Sequence, residues 1–122
     1  MLNDADASRL KKVYLATGFT DLRRGRDGLA TIIRFQFQLD PYDKNTLFLF
    51  CGRRSDRIKG LLWEGDGFLL LYKRLDNGAF RWSRSADEAL AITPEQYRML
   101  MQGFEIVARN PIKELKQTPS IL

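Results

Sequence analysis

The chain contains no histidine and a single cysteine, Cys51, among its 122 residues. Without imidazole, every mechanism that uses histidine as base, proton shuttle or metal ligand is excluded. A zinc site built from cysteine and histidine is excluded with it. One cysteine cannot close an intrachain disulfide, so a reducing, cytoplasmic setting is the natural expectation. No apolar run approaches the roughly 18 residues that a membrane helix needs. The longest, Leu47 to Cys51 and Phe68 to Tyr72, are strand-sized. The amino end, residues 1–7, is acidic and lacks the apolar core of a secretory signal. Internal repeats and low-complexity tracts are missing too, so a repeat array has no support.

What is present is ordinary globular composition with an uneven charge. Apolar residues make up 44% and charged residues 29%, enough for one core in one domain. Twenty basic side chains oppose fifteen acidic ones, a net charge of +5. All of the excess lies in residues 1–60, which carry 12 basic and 7 acidic side chains; residues 61–122 carry 8 of each. It concentrates in Arg23-Arg24-Gly-Arg26 and in Arg53-Arg54-Ser-Asp-Arg57-Ile-Lys59. A half-chain with unbalanced positive charge suits an anionic partner, nucleic acid first. A solvated surface that merely keeps the protein soluble is the competing explanation.

Hydrophobic patterning divides the chain into an arm at 1–11, one domain at 12–108 and a tail at 109–122. Val13 to Ala16 reads as a short strand. Leu22, Leu29, Ile32 and Ile33 share one face of a helix expected from about Leu22 to Gln38, with Thr20 or Asp21 as its N-cap. Leu47 to Cys51 is a buried strand. Ile58 to Glu64 and Phe68 to Leu75 are two more, divided by Gly65-Asp66-Gly67. Asp76-Asn77-Gly78 is a second hairpin signal, leading to an expected strand at Phe80 to Arg84. Thr93-Pro94-Glu95-Gln96 is a capping box, followed by Tyr97, Leu100, Met101 and Phe104 at helical spacing. The order predicts an α+β fold: an antiparallel meander sheet of about four to five strands with two helices packed on it.

Strand alternation assigns sides. Ile58, Gly60, Leu62, Leu69, Leu71, Lys73, Leu75, Phe80 and Trp82 form the expected core face, with both helices on it. Lys59, Leu61, Trp63, Phe68, Leu70, Tyr72, Arg74 and Arg81 form the other. Rings interleaved with cations resemble a platform on which bases stack while Lys and Arg meet phosphates. The same residues suit a contact covered by a helix or by another protein. Carboxylates are the remaining general acids, bases or magnesium ligands. Asp21 fits an N-cap and Asp66 fits a turn, so neither calls for catalysis, and no metal or cofactor is expected. Thr17 to Gly25 offers a basic helix entrance that suits a backbone phosphate. It has neither P-loop nor GxGxxG spacing, so nucleotide binding has no support.

Taken together the motifs resemble the TnpB accessory protein family of insertion-sequence-sixty-six-type transposable elements. The resemblance rests on residues 13–30, opening Val13-Tyr-Leu-Ala-Thr-Gly-Phe-Thr-Asp-Leu-Arg-Arg-Gly. Gly52-Arg-Arg-Ser-Asp-Arg-Ile-Lys, Trp63-Glu-Gly-Asp-Gly-Phe, Tyr72-Lys-Arg-Leu and Phe80-Arg-Trp82 then follow in order. It covers roughly residues 13–104. Phe19 stands where that family usually has proline, Ser55 where it has glycine, and the sequence diverges after Gly103. The resemblance implies a protein that assists transposition and carries no assigned catalytic residue.

Two functions follow as expectations. In one, a non-catalytic accessory protein binds DNA through Arg23, Arg24, Arg26, Arg53, Arg54, Arg57 and Lys59. In the other, an adaptor docks on the transposase or another element-encoded accessory protein through Trp63, Phe68, Leu70, Tyr72 and Arg74, with little DNA affinity. A magnesium-dependent nuclease is a distant third. Oligomeric state and DNA site are not written in the sequence.

Overall fold

A computed structural model describes residues 9–85 and 87–106. The expected arm at 1–11 lies outside the described residues up to residue 8, and the expected tail at 109–122 lies wholly outside them. The elements in chain order are β1 (Lys12–Ala16), α1 (Arg26–Thr31), β2 (Thr46–Cys51), β3 (Arg57–Trp63), β4 (Phe68–Arg74), β5 (Ala89–Ile92) and α2 (Pro94–Met101). The five strands form one sheet in the order β4-β3-β2-β1-β5.

The fold is α+β, as expected, but the sheet is mixed rather than purely antiparallel. β2, β3 and β4 make the antiparallel meander, while β1 runs parallel to β2, with Val13 beside Leu47 and Leu15 beside Leu49. A parallel pair needs a crossover, and the segment holding α1 supplies it. β5 closes the far edge antiparallel to β1. It is built from Ala89-Leu-Ala-Ile92, four residues too short to show alternation, and sequence patterning overlooks it.

The expected strand at Phe80–Arg84 does not form. Gly78 takes the positive φ of a turn, but the chain after it leaves the sheet edge. The Phe80 amide donates to Ser55 O at 2.7 Å, and the Trp82 indole donates to Ala16 O at 2.9 Å. Both side chains are buried, so the apolar pattern marks core residues here without marking a strand.

The helices lie on opposite faces of the sheet, which corrects the expectation of a shared one. On one face α2 packs Tyr97, Leu100 and Met101 into a core with Val13, Leu15, Leu49, Ile58, Leu62, Leu71, Phe80 and Trp82. On the other, Leu29 and Ile33 bury completely against Phe48, Phe50 and Leu61. With both faces covered, all six residues of β2 are buried, which explains its unbroken apolar run. The odd-sum pairing of β3 with β4 is observed, Trp63 facing Phe68 and Gly60 facing Leu71, so the sides read for these two strands are right, whereas those read for 80–82 rested on a strand that does not form. One strand's pattern does not say which helix will cover which face.

The first helix is also shorter than its pattern. It starts at Arg26, with Gly25 as N-cap and no side-chain cap, and continues past Thr31 as a π turn from Ile32 to Gln36. Asp21 caps a turn instead, accepting the Arg23 amide at 3.0 Å. α2 follows its signature: Thr93 Oγ1 accepts the Gln96 amide at 3.0 Å, and the Thr93 amide donates to Gln96 Oε1 at 2.8 Å. It ends in a left-handed Gly103, with the Phe104 amide donating back to Met99 O at 2.9 Å.

Candidate nucleic-acid interface

Three segments meet at one end of the sheet: residues 17–25 after β1, residues 52–56 after β2, and residues 83–85 with 87–88 before β5. Thr17 and Glu88 exchange hydrogen bonds, the Gly18 amide donates to Ser83 O at 3.1 Å, and the Thr20 amide donates to Cys51 O at 2.9 Å. Gly18 has φ +76°, and a Cβ there would meet the Asp87 carboxylate, so this crossing point needs glycine.

Arg84 locks the loops together. Its guanidinium donates to Gly18 O, to Gly52 O at 2.6 Å, to Arg53 O at 3.2 Å and to Ser55 Oγ at 3.1 Å. Its Cζ also lies 4.6 Å from the Phe19 ring centroid. A planar fork of five donors can satisfy such a spread of carbonyls, which an ammonium cannot. Sequence reasoning misses this residue, since Ser83-Arg84-Ser85 has neither apolar period nor charge cluster to single it out.

On this frame runs an open groove. One part, about 470 Å³, is lined by Phe19, Thr20, Asp21, Leu22, Arg23, Gly52 and Arg53. The next, about 670 Å³, is lined by Asp21, Leu22, Arg23, Arg57, Lys59, Leu70 and Tyr72. The shared stretch Asp21–Arg23 joins them. Four of the seven expected DNA-binding cations therefore come together here: Arg23, Arg53, Arg57 and Lys59. Arg24 contributes its carbonyl, which accepts from Lys59 Nζ at 3.1 Å. Arg26 pairs with Asp27 at 3.5 Å, and neither it nor Arg54 lines the groove.

The aromatic set divides. Leu70 and Tyr72 lie in the groove, 40% and 54% exposed, with Lys59 Nζ 5.9 Å from the Tyr72 ring centroid. Phe19 is 59% exposed and carries Arg53 as well as Arg84 over its ring. Trp63 and Phe68 are half-buried in a separate cluster with Tyr42, all ring centroids within 5.2 Å of one another. Arg74 sits at the end of β4, opposite Arg57 in the register.

Electrostatics grade the cations. Arg23 is held by Asp21, with Nη2 to Oδ2 at 2.8 Å, and this bond keeps the Asp21 carboxyl at about 2. Arg57 is held by Asp56 at 3.0 Å. Arg53 has no carboxylate partner among the described residues, and Lys59 donates only to a backbone carbonyl. Asp21 is fully committed to Arg23 as an acceptor, which leaves it unsuited to general-base work. Burial pushes the Cys51 thiol up to about 11, so it is no nucleophile at neutral pH. Among the described residues no three acidic or cysteine side chains gather to hold a metal ion, and no helix is long and apolar enough to cross a membrane.

The two acids beside the groove, Asp21 and Asp56, are each paired with an arginine of its lining. The chain belongs to the IS66 Orf2-like protein family, whose model matches residues 11–111. It is thus a transposition-associated accessory protein, of a family that is not a known class of enzymes. Two proteins of Sinorhizobium fredii are similar to it. Uncharacterized protein y4jC is 34% identical over 108 residues, covering 87% of this chain and 92% of that protein. Uncharacterized protein y4hO is 39% identical over 94 residues, covering 77% and 81%. No solved structure matches the chain significantly.

Proposed function

We propose that this accessory protein holds DNA in the groove between the 17–25 loop and β4, meeting backbone phosphates rather than reading bases. The observation that carries it is the convergence of Arg23, Arg53, Arg57 and Lys59, from three separate segments, on one open surface. Phosphate contacts need flexible cations on an accessible groove, and they carry no sequence information. Phe19 and Tyr72, each exposed with a cation over its ring, offer stacking surfaces if the strand is unpaired.

A mobility-shift assay with element-end DNA and unrelated DNA tests this. Replacing Arg53, Arg54 and Arg57 together by alanine should weaken binding on both DNAs alike. Loss confined to element ends would mean base readout and contradict the proposal.

Docking on the transposase is a second reading, favoured by the exposed Leu70 and Tyr72. A transposase pull-down without DNA separates the two. Capture lost in Leu70→Ala and Tyr72→Ala, with DNA binding weak in all forms, would favour the adaptor.

A further inference from the structure

The two edges of the sheet are unequal. β5 is only four residues long and runs straight into the capped start of α2. β4 is seven residues long, Phe68-Leu-Leu-Leu-Tyr-Lys-Arg74, with five consecutive apolar or aromatic positions. No proline interrupts those five, and the strand's one charge on the core face, Lys73, comes only after them. The hydrogen-bond phase of this edge can be read from its two ends. The Glu64 amide donates to Gly67 O at 2.9 Å, and the Leu75 amide donates to Asp56 O at 2.7 Å. Both are hydrogen-bonded pairs of the β3–β4 register, so Leu69, Leu71 and Lys73 turn their backbone groups toward β3. Phe68, Leu70, Tyr72 and Arg74 therefore turn theirs outward.

We propose that a second copy of this chain pairs along this edge, β4 antiparallel to β4, about a two-fold axis through Leu70. An edge with outward amides at every even position can pair with itself only where even residues face even residues. The register centred on Leu70 meets that condition. It sets Leu70 on Leu70, Phe68 on the second copy's Tyr72 and Leu69 on the second copy's Leu71. Charge favours this register over the one centred on Leu71. It brings Asp66 at the hairpin tip to the second copy's Arg74, twice by symmetry; Asp66 has no ion-pair partner among the described residues, and Arg74 makes no direct ion pair there, acting on Asp56 only at longer range. Shifting the axis to Leu71 would set Phe68 on Arg74 and Asp66 on Asp76, a like-charge pair. Pairing also sets Leu70 and Tyr72, large apolar side chains exposed on the sheet itself, beside the second copy's Leu70 and Phe68, while their outer surfaces still face the groove.

The consequence is geometric. A two-fold axis perpendicular to the sheet keeps the same face on the same side in both copies. The Arg57 and Lys59 ends of the two grooves then lie on either side of the axis, across one continuous ten-stranded sheet. The pairing stands whatever occupies the groove.

The test is sedimentation of the full chain across the micromolar range, beside a set of variants. The wild-type chain should associate reversibly to a dimer. Leu70→Pro removes an amide that β3 does not use, so it should stay folded and dimerise at least about tenfold more weakly. Asp66→Arg should also weaken the dimer, and adding Arg74→Asp to it should restore association, which keeps the question decidable if the proline variant misfolds. Under mild oxidation Leu70→Cys should cross-link to itself. Phe68→Cys and Tyr72→Cys should cross-link only when mixed, because hydrogen-bonded partners sit about 5.5 Å apart at the Cα atoms. A chain that stays monomeric throughout would overturn the proposal. So would a folded Leu70→Pro variant that associates like wild type, or Phe68→Cys cross-linking alone as readily as Leu70→Cys.

Discussion

Arg84 shows how much of the candidate site's frame rests on a single side chain. It joins the carbonyls of Gly18, Gly52 and Arg53, three groups that folding would otherwise leave short of donors. Arg84→Ala should cost about 2–3 kcal/mol, the worth of a charged hydrogen-bond network whose acceptors are left unpaired. Arg84→Lys should recover only part of it, since an ammonium cannot span four acceptors. Urea unfolding measures both; a lysine variant as stable as wild type would contradict the assigned role. Asp21 gives a second residue-level expectation. Its carboxyl is lowered from 3.8 to about 2, first by the Arg23 side-chain hydrogen bond and then by the Arg23 amide. A depressed acid stabilises its fold above the unfolded pKa, and loses that contribution as pH falls through the folded one. The Asp21 turn should therefore hold at pH 4 and loosen only toward about pH 2. The carboxyl resonance of Asp21 should titrate accordingly, and Arg23→Ala should move it back toward 3.8. An unchanged midpoint in that variant would show that Arg23 is not the cause.

The elements differ in how openly the sequence announces them, and the reason is local energetics. α2 is readable to its cap because Thr93, Pro94 and Gln96 each satisfy a specific backbone need within one turn. Thr93→Ala should cost about 1 kcal/mol, whereas Leu100→Ala, fully buried, should cost about 2–5 kcal/mol. Thermal or urea melts that gave equal losses would mean that α2 does not pack as observed. The first helix is harder to read. Its apolar stripe extends beyond its helical turns because Leu22 reaches the same core from the preceding loop. Phe80 and Trp82 mislead in the same way: burial fixes the residue type, while Ser55 and Ala16, far away in sequence, take the hydrogen bonds. β5 has no pattern to read. Its place is decided by β1, through partners some 75 residues distant in the chain.

At the scale of the whole molecule, the charge asymmetry is legible in the amino-acid sequence. Its focusing is not. Seven cations lie in two sequence clusters, and the fold brings Arg23 and Arg53 to one end of a groove and Arg57 and Lys59 to the other. It also parts Leu70 and Tyr72, which share that groove, from Trp63 and Phe68, which turn to Tyr42. That sorting depends on the parallel placement of β1 beside β2, which sets the 17–25 loop next to the 52–56 loop. Nothing local encodes it. If the groove holds DNA by its phosphates, the affinity must report the counterions that its cations displace. Fluorescence anisotropy of a labelled duplex, titrated with the protein at several salt concentrations, measures this directly. Three to five neutralised phosphates give a slope of log affinity against log salt of about −3 to −5, and the Arg53, Arg54 and Arg57 triple-alanine variant should give a shallower one. A slope near zero for the wild-type chain would contradict a phosphate-holding groove.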